Sequence, residues 1–192
     1  MATSTSVSKG TFSISTFREQ LGAGSRPNLF LVKLTPNENF AFTGFEYVCR
    51  AASLPSSTVG LIEIALNGGR RLKMGGDRQF TEWTTTVLND EKFSIRKQLE
   101  AWQSSIVNTN YNRGSVGNRT VGEGTLITGR AEIYQLDANG NSIGGAGEYR
   151  LENCWPSDIS TIDLSYDSTD TVEEFTVTWS YDYYIIGDNA TL

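Results

Sequence analysis

The sequence contains no histidine. That absence excludes Ser-His-Asp and Cys-His nucleophile systems, an imidazole general base and His-ligated zinc. Cysteine is nearly absent as well. Cys49 and Cys154 form no CxxC pair and read as small buried hydrophobes in a reducing compartment. No run of about 18 apolar residues occurs, so no membrane-spanning helix is expected. Met1 to Gly10 is polar, with no apolar stretch after its single lysine, Lys9. It does not read as a secretory signal, and the expectation is a protein made in a cytoplasm. The sequons Asn118-Arg119-Thr120 and Asn189-Ala190-Thr191 then count as chance matches. Basic residues are missing from the end of the chain: after Arg150 there are none, against nine acids from Glu152 to Asp188.

What is present fits one domain with an arm. A chain of 192 residues buries roughly 70% of its unfolded surface, enough for a core without disulfides or metals. Residues 1–96 hold 11 Lys and Arg against 8 Asp and Glu, a balance of +3. Residues 97–192 hold 5 against 14, a balance of −9. The one dense basic cluster is Arg70, Arg71, Lys73 and Arg78. Such a split bears on association and on what the surface repels.

Residues 1–25 are rich in Ser, Thr and Gly and read as an arm, with a short helix around Ile14, Phe17 and Leu21. Arg26-Pro27-Asn28 opens the domain, and from there the apolar period is mostly two. Phe30, Val32 and Leu34 form one such run, and Phe45, Tyr47 and Cys49 another. Ile62, Ile64 and Leu66 lead into Asn67-Gly68-Gly69, with Leu72 and Met74 alternating beyond it. That pattern predicts a β-hairpin, because Asn and Gly accept the positive φ of a tight turn. Further strands are expected at about 81–88, 124–136 and 147–154. Thr161 to Tyr166 and Glu174 to Tyr183 also alternate, the latter most clearly. One segment breaks the pattern: Ile95, Leu99, Trp102 and Ile106 make the stripe of an amphipathic helix over about 90–107. Asn89 or Asp90 is expected to cap it. The long polar loop 108–122 follows. The sum is a mainly β, antiparallel sandwich or flattened barrel with one packed α-helix.

No motif assembles a catalytic site. Asp137, Asn139, Asn141 and Glu148 match the oxygen spacing of a calcium loop, but Ser142 stands where that loop needs glycine, so a turn is the simpler reading. Gly144-Gly145-Ala146-Gly147 lacks the strand and helix of a phosphate cradle. Glu173-Glu174, or Asp163, Asp167 and Asp170, could pair as in glycoside hydrolysis, yet read more simply as solvated or interface acids. Trp179, Tyr181 and Tyr183 could stack a sugar, as in a β-sandwich carbohydrate-binding module, but their period of two favours a core face. A net-acidic chain with one small basic hairpin is a poor nucleic-acid binder. The expectation is no enzyme, no cofactor and no metal.

Seven segments, taken in order, carry a resemblance. They are Arg26-Pro27-Asn28-Leu29-Phe30, Cys49 to Pro55 and Gly76 to Trp83, then Val87 to Glu91 and Ala101-Trp102-Gln103. Cys154-Trp155-Pro156-Ser157 and the closing strand from Phe175-Thr176-Val177 to Asp182-Tyr183 complete the set. In this order the chain resembles the tail tube proteins of contractile-tailed bacteriophages, a family related to the tubes of pyocins, type VI secretion and extracellular injection systems. The likeness covers about 26–107 and 150–184. It implies a tube domain over 26–187 between an arm (1–25) and a short tail (188–192). It further implies hexameric rings that share a continuous inner β-barrel and stack into a tube inside a contractile sheath. The implied partners are further copies of the chain and the tail sheath, baseplate, tail terminator and tape-measure proteins. The implied setting is a virion assembled in the bacterial host cytoplasm.

A tube that passes DNA must not bind it, since each phosphate neutralised by Lys or Arg adds affinity. The candidate lumen lining is therefore the base-free C-terminal part. It comprises Thr161, Asp163 and Ser165 on one strand, and Glu174, Thr176, Thr178, Ser180 and Asp182 on another. The hairpin face with Arg71 and Lys73 is the rival. It is expected to be neutralised by a neighbour's acids or held off the bore.

Overall fold

The computed structural model describes residues 13–22, 24–35, 42, 44–108, 113–114 and 128–187. Most of the 108–122 loop and the 188–192 tail lie outside them, as does the start of the arm. The described residues form two main antiparallel sheets joined through one long strand, and two two-stranded sheets, β3 (Ser57–Ala65) with β4 (Arg71–Phe80) and β6 (Val107–Asn108) with β7 (Arg113–Gly114). In the first sheet, β1 (Phe30–Thr35) pairs β8 (Gly129–Gln135), which pairs the first half of β9 (Glu148–Ile159). In the second, β2 (Cys49–Ala52) pairs β5 (Trp83–Leu88) and β5 pairs β10 (Glu174–Ser180). β10 then pairs the second half of β9. β11 (Tyr183–Ile186) returns along the first half of β9. Ser180 faces Trp155 and Tyr183 faces Glu152, so β10 and β11 follow one another along β9, with a bulge at Ser157 and a break at Tyr181 and Asp182.

β9 passes from one sheet to the other at Asn153, whose φ of 55° lies in the left-handed region. Asn tolerates that conformation better than most residues. Its side-chain amide donates to an Asp182 carboxylate oxygen at 2.6 Å, tying the corner to the break in the partner strand. Corners between packed sheets are commonly made this way, by a strand that bends and switches. Among the described residues the sheets do not close into a barrel. β1 and β2 each pair on one side only.

The core lies between the sheets and under helix α3 (Ser94–Ile106). Phe175, Val177 and Trp179 of β10 are buried, as are Trp83, Thr85 and Val87 opposite them on β5. Val32, Ile133, Leu151 and Cys154 fill the other side. Ile95, Leu99 and Trp102 close the top from α3, the stripe read from spacing. Trp179 is the hub. Its ring centroid lies 6.0 Å from Trp83, 5.9 Å from Trp102 and 6.0 Å from Phe45. Its indole donates to the Thr85 hydroxyl at 2.9 Å, so this buried polar pair satisfies itself.

Four local readings change. α3 starts at Ser94, four residues late, because Phe93 sits at φ 54° and cannot continue a helix backwards. Asp90 still serves the helix: its carboxylate accepts from the Ser94 N–H and hydroxyl, each at 2.7 Å. Phe45–Val48 is a helical turn, α2, and not a strand; burying the Phe45 ring against Trp179 outweighs alternation. Residues 160–173, with Thr161, Asp163 and Ser165, form no strand. Both edges of β10 are already taken by β5 and β9, so the segment cannot extend the β10 ladder. The Glu174–Tyr183 strand is split into β10 and β11. Helix α1 (Ile14–Leu21) forms as expected, with its residues exposed.

Candidate functional site

The most unusual surface is the hairpin of β3 (Ser57–Ala65) and β4 (Arg71–Phe80), which forms a two-stranded sheet of its own. Gly68 and Gly69, at φ 88° and 81°, make the turn that Asn67-Gly68-Gly69 announced. Its base is held to the domain by the Phe80 ring, 5.4 Å from Tyr184 and 6.2 Å from Tyr181. The Ser57 and Tyr184 hydroxyls add a contact at 3.2 Å. Near the base the strands cross closely at two glycines. A Cβ on Gly76 would stand 3.2 Å from the Gly60 carbonyl oxygen.

Beyond the base every residue from Thr58 to Gly75 is exposed. Opposed residues share a face, so Ile62 with Met74 and Ile64 with Leu72 make one wholly apolar side. These four are 44–50% exposed. The other side carries Glu63 with Arg71 and Lys73. Glu63 accepts from Arg71 at 2.6 Å and lies 3.9 Å from Lys73. The rival lumen pair is thus partly neutralised by an acid of its own hairpin. Arg70 and Arg78 have no acidic partner among the described residues.

The structure gathers Glu174, Thr176, Thr178 and Ser180 on the outward face of β10, opposite its buried face. Thr86 and Thr84 stand directly across from Thr176 and Thr178. The result is a hydroxyl-rich surface of low charge, since Glu174 is ion-paired with Arg50 of β2. The β5 threonines and Arg50 were missed by sequence reasoning, although the alternation of Trp83, Thr85 and Val87 with Thr84 and Thr86 could have found the threonines. Asp182 stands apart at the β9 corner, and Asp163 and Ser165 lie on the exposed loop.

The other candidates dissolve. Asp137 accepts backbone N–H groups from Asn139 and Asn141 at 2.8 and 2.9 Å, a turn that holds its carboxyl below the usual range, chiefly through Asn141. Trp179 is fully buried, so the aromatic row offers no sugar platform. Glu173 accepts from the Asn89 amide at 2.9 Å and Glu174 from Arg50, so each carboxylate already has a partner of its own. Burial pushes the Cys49 thiol up to about 12 and raises Cys154 too, which suits inert packing residues. Among the described residues no helix is long and apolar enough to cross a membrane, and no three His, Cys, Asp or Glu gather as metal ligands.

Residues 25–187 match the family model described as phage tail tube protein. The chain belongs to that family. The tail tube protein gp19 of Enterobacteria phage T4 is 28% identical over 171 residues, 85% of this chain and 92% of that one. A tail tube protein of Serratia phage KSP90 is 27% identical over 114 residues, 59% of each chain. The fold is that of the anti-feeding prophage tube terminating cap (TM-score 0.62, 15% identity, 94% of this chain and 97% of that one). It also matches the PVC sheath/tube terminator of an extracellular contractile injection system (TM-score 0.58, 16% identity, 81% and 91%). The chain is therefore a phage tail tube protein by family, and its fold is shared with components of contractile injection systems.

Proposed function

We propose that the chain closes into six-membered rings that stack into the inner tube of a phage tail, through which DNA is delivered. In this reading it is a virion protein without catalytic activity or cofactor, assembled in the host cytoplasm. Residues 1–25 and 188–192 flank the tube domain at 26–187. Its partners are other copies of itself and the sheath, baseplate, terminator and tape-measure proteins. The observation that carries the reading is the hairpin, whose apolar side is bare in the single subunit. Exposed apolar strands with open edges are an aggregation hazard in a monomer, and closure around a ring removes the hazard. Sedimentation velocity across protein concentration tests it: a species of six subunits and larger multiples is expected, and a strict monomer at every concentration and salt defeats it.

The same reading assigns the bore to the face of Glu174, Thr176, Thr178 and Ser180 with Thr84 and Thr86. Hydroxyl groups of low net charge offer a duplex no phosphate neutralisation, so it slides. The Arg71 and Lys73 face remains the rival, its charge offset in part by Glu63. Asp163, Ser165 and Asp182 are left off the bore. An injection-system tube is the neighbouring reading, supported by the fold likeness; the phage relatives at 28% identity favour the tail.

A further inference from the structure

Asparagine precedes glycine at two places in the chain, Asn67-Gly68 and Asn139-Gly140. This dipeptide favours deamidation, because glycine has no side chain to shield its amide nitrogen from the asparagine carboxamide. Both pairs sit in exposed hairpin turns, and their glycines share the left-handed region at φ 88° and 84°. Exposure and backbone conformation therefore do not separate them. Hydrogen bonding and charge do.

At Asn139 the turn is locked. The Gly140 N–H donates to the Asp137 carbonyl at 3.1 Å, so the nitrogen that would attack is already held. The Asp137 carboxylate accepts from the Asn139 and Asn141 N–H groups at 2.8 and 2.9 Å, and these bonds keep it ionised. A negative charge there opposes loss of a proton from the neighbouring amide.

At Asn67 these restraints are missing. Among the described residues neither the Gly68 N–H nor the Asn67 side chain makes a hydrogen bond. A Cβ on Gly68 or Gly69 would meet nothing within 4 Å, so water reaches the tip from all sides. Arg70 and Arg71 follow in sequence, and Arg70 has no acidic partner among the described residues. Their positive charge favours the deprotonated amide.

We propose that Asn67 is a self-modifying site in the free subunit, losing ammonia to attack by the Gly68 nitrogen, while Asn139 is protected. The Gly68 nitrogen gives its proton to hydroxide and bonds to Cγ of Asn67. The carboxamide C–N bond breaks, and ammonia leaves with a proton taken from water. Water then opens the five-membered imide at either carbonyl, leaving aspartate or isoaspartate with no oxidant or reductant involved. Either product sets a new carboxylate close to Arg70. Residues 57–80 hold four bases and two acids, so a third acid halves the positive excess of the hairpin. Isoaspartate also adds a carbon to the main chain of a turn closed by the Leu66 N–H on the Arg70 carbonyl at 2.8 Å.

The test ages dilute, purified full-length chain at pH 8, native and in guanidinium chloride, and follows both sites by tryptic peptide mass spectrometry. Cleavage after Arg50 and Arg70 releases 51–70, in which Asn67 is the only asparagine and glutamine is absent. Cleavage after Arg130 and Arg150 releases 131–150, where fragment ions separate Asn139 from Asn141. Labelling by an isoaspartyl methyltransferase marks the isoaspartate. In native protein Asn67 should react about tenfold faster than Asn139, the factor that one hydrogen bond to be broken supplies. In denaturant the two rates should converge, since both sites are then the same dipeptide in an open chain. Matching native rates overturn the inference, as does an Asn67 that stays intact while Asn139 reacts. A native ratio that persists in denaturant also overturns it, because the difference would then lie in the flanking sequence and not in the turns.

Discussion

Trp179 concentrates the stability of the subunit. It touches three aromatic rings from separate elements and donates its one proton to Thr85. Trp179→Ala should cost about 3–5 kcal/mol, at the upper end because Thr85 loses its partner, and urea denaturation measures it. Asp90 is a gentler case. Its carboxyl is held below the usual carboxylate range, first by the Ser94 hydroxyl and then by backbone N–H groups. A depressed folded pKa contributes stability above the unfolded value and loses it as pH falls through the folded one. The stability gap between wild type and Asp90→Ala should therefore be constant at neutral pH and narrow below pH 3.8. A gap that widens on acidification contradicts the cap. Cys49, raised to about 12, and the buried Cys154 should both resist iodoacetamide at pH 8 in the native protein and react once it is unfolded. Rapid native alkylation would show that the strands open.

Elements were legible where one face is buried. Period two found β1 and β10, and period 3.6 found α3, because each of those patterns reports a face turned to the core; β3 and β4 alternate as well, though both faces of their hairpin are exposed in the subunit. Alternation failed at Phe45–Val48 and at Thr161–Tyr166. In the first, one aromatic ring could reach Trp179 only from a helical turn. In the second, the edges of the neighbouring β10 were taken by β5 and β9, and sequence cannot show which edges are taken. The candidate bore was half legible: the β10 row was found, while its neighbours on β5 and β2 depended on strand order. The hairpin raises a prediction at this scale. Ile64→Asp with Leu72→Asp changes exposed positions only, so subunit stability should move by about 0.5 kcal/mol or less per site. Assembly should nevertheless fail, as read by light scattering. Unchanged assembly would mean the apolar side faces solvent in the tube.

At the largest scale, four bases of the 57–80 hairpin stand at one end of the second sheet and Asp163, Asp167 and Asp170 of the 160–173 loop at the other, with a low-charge hydroxyl face between. Thr176→Lys with Thr178→Lys puts two cations on that face of every subunit. In a phage that still assembles tails, DNA delivery should slow, since each ring then offers phosphate contacts to the passing duplex. Delivery at the normal rate would place this face away from the bore. Self-assembly underlies all of this, and cryo-electron microscopy of the purified chain at high concentration measures it most directly. Stacked rings of six, with the 57–80 hairpin covered by a neighbour and the Thr176 and Thr178 face turned inward, are the expected result. Dispersed single subunits, or rings that leave the hairpin bare, would contradict it.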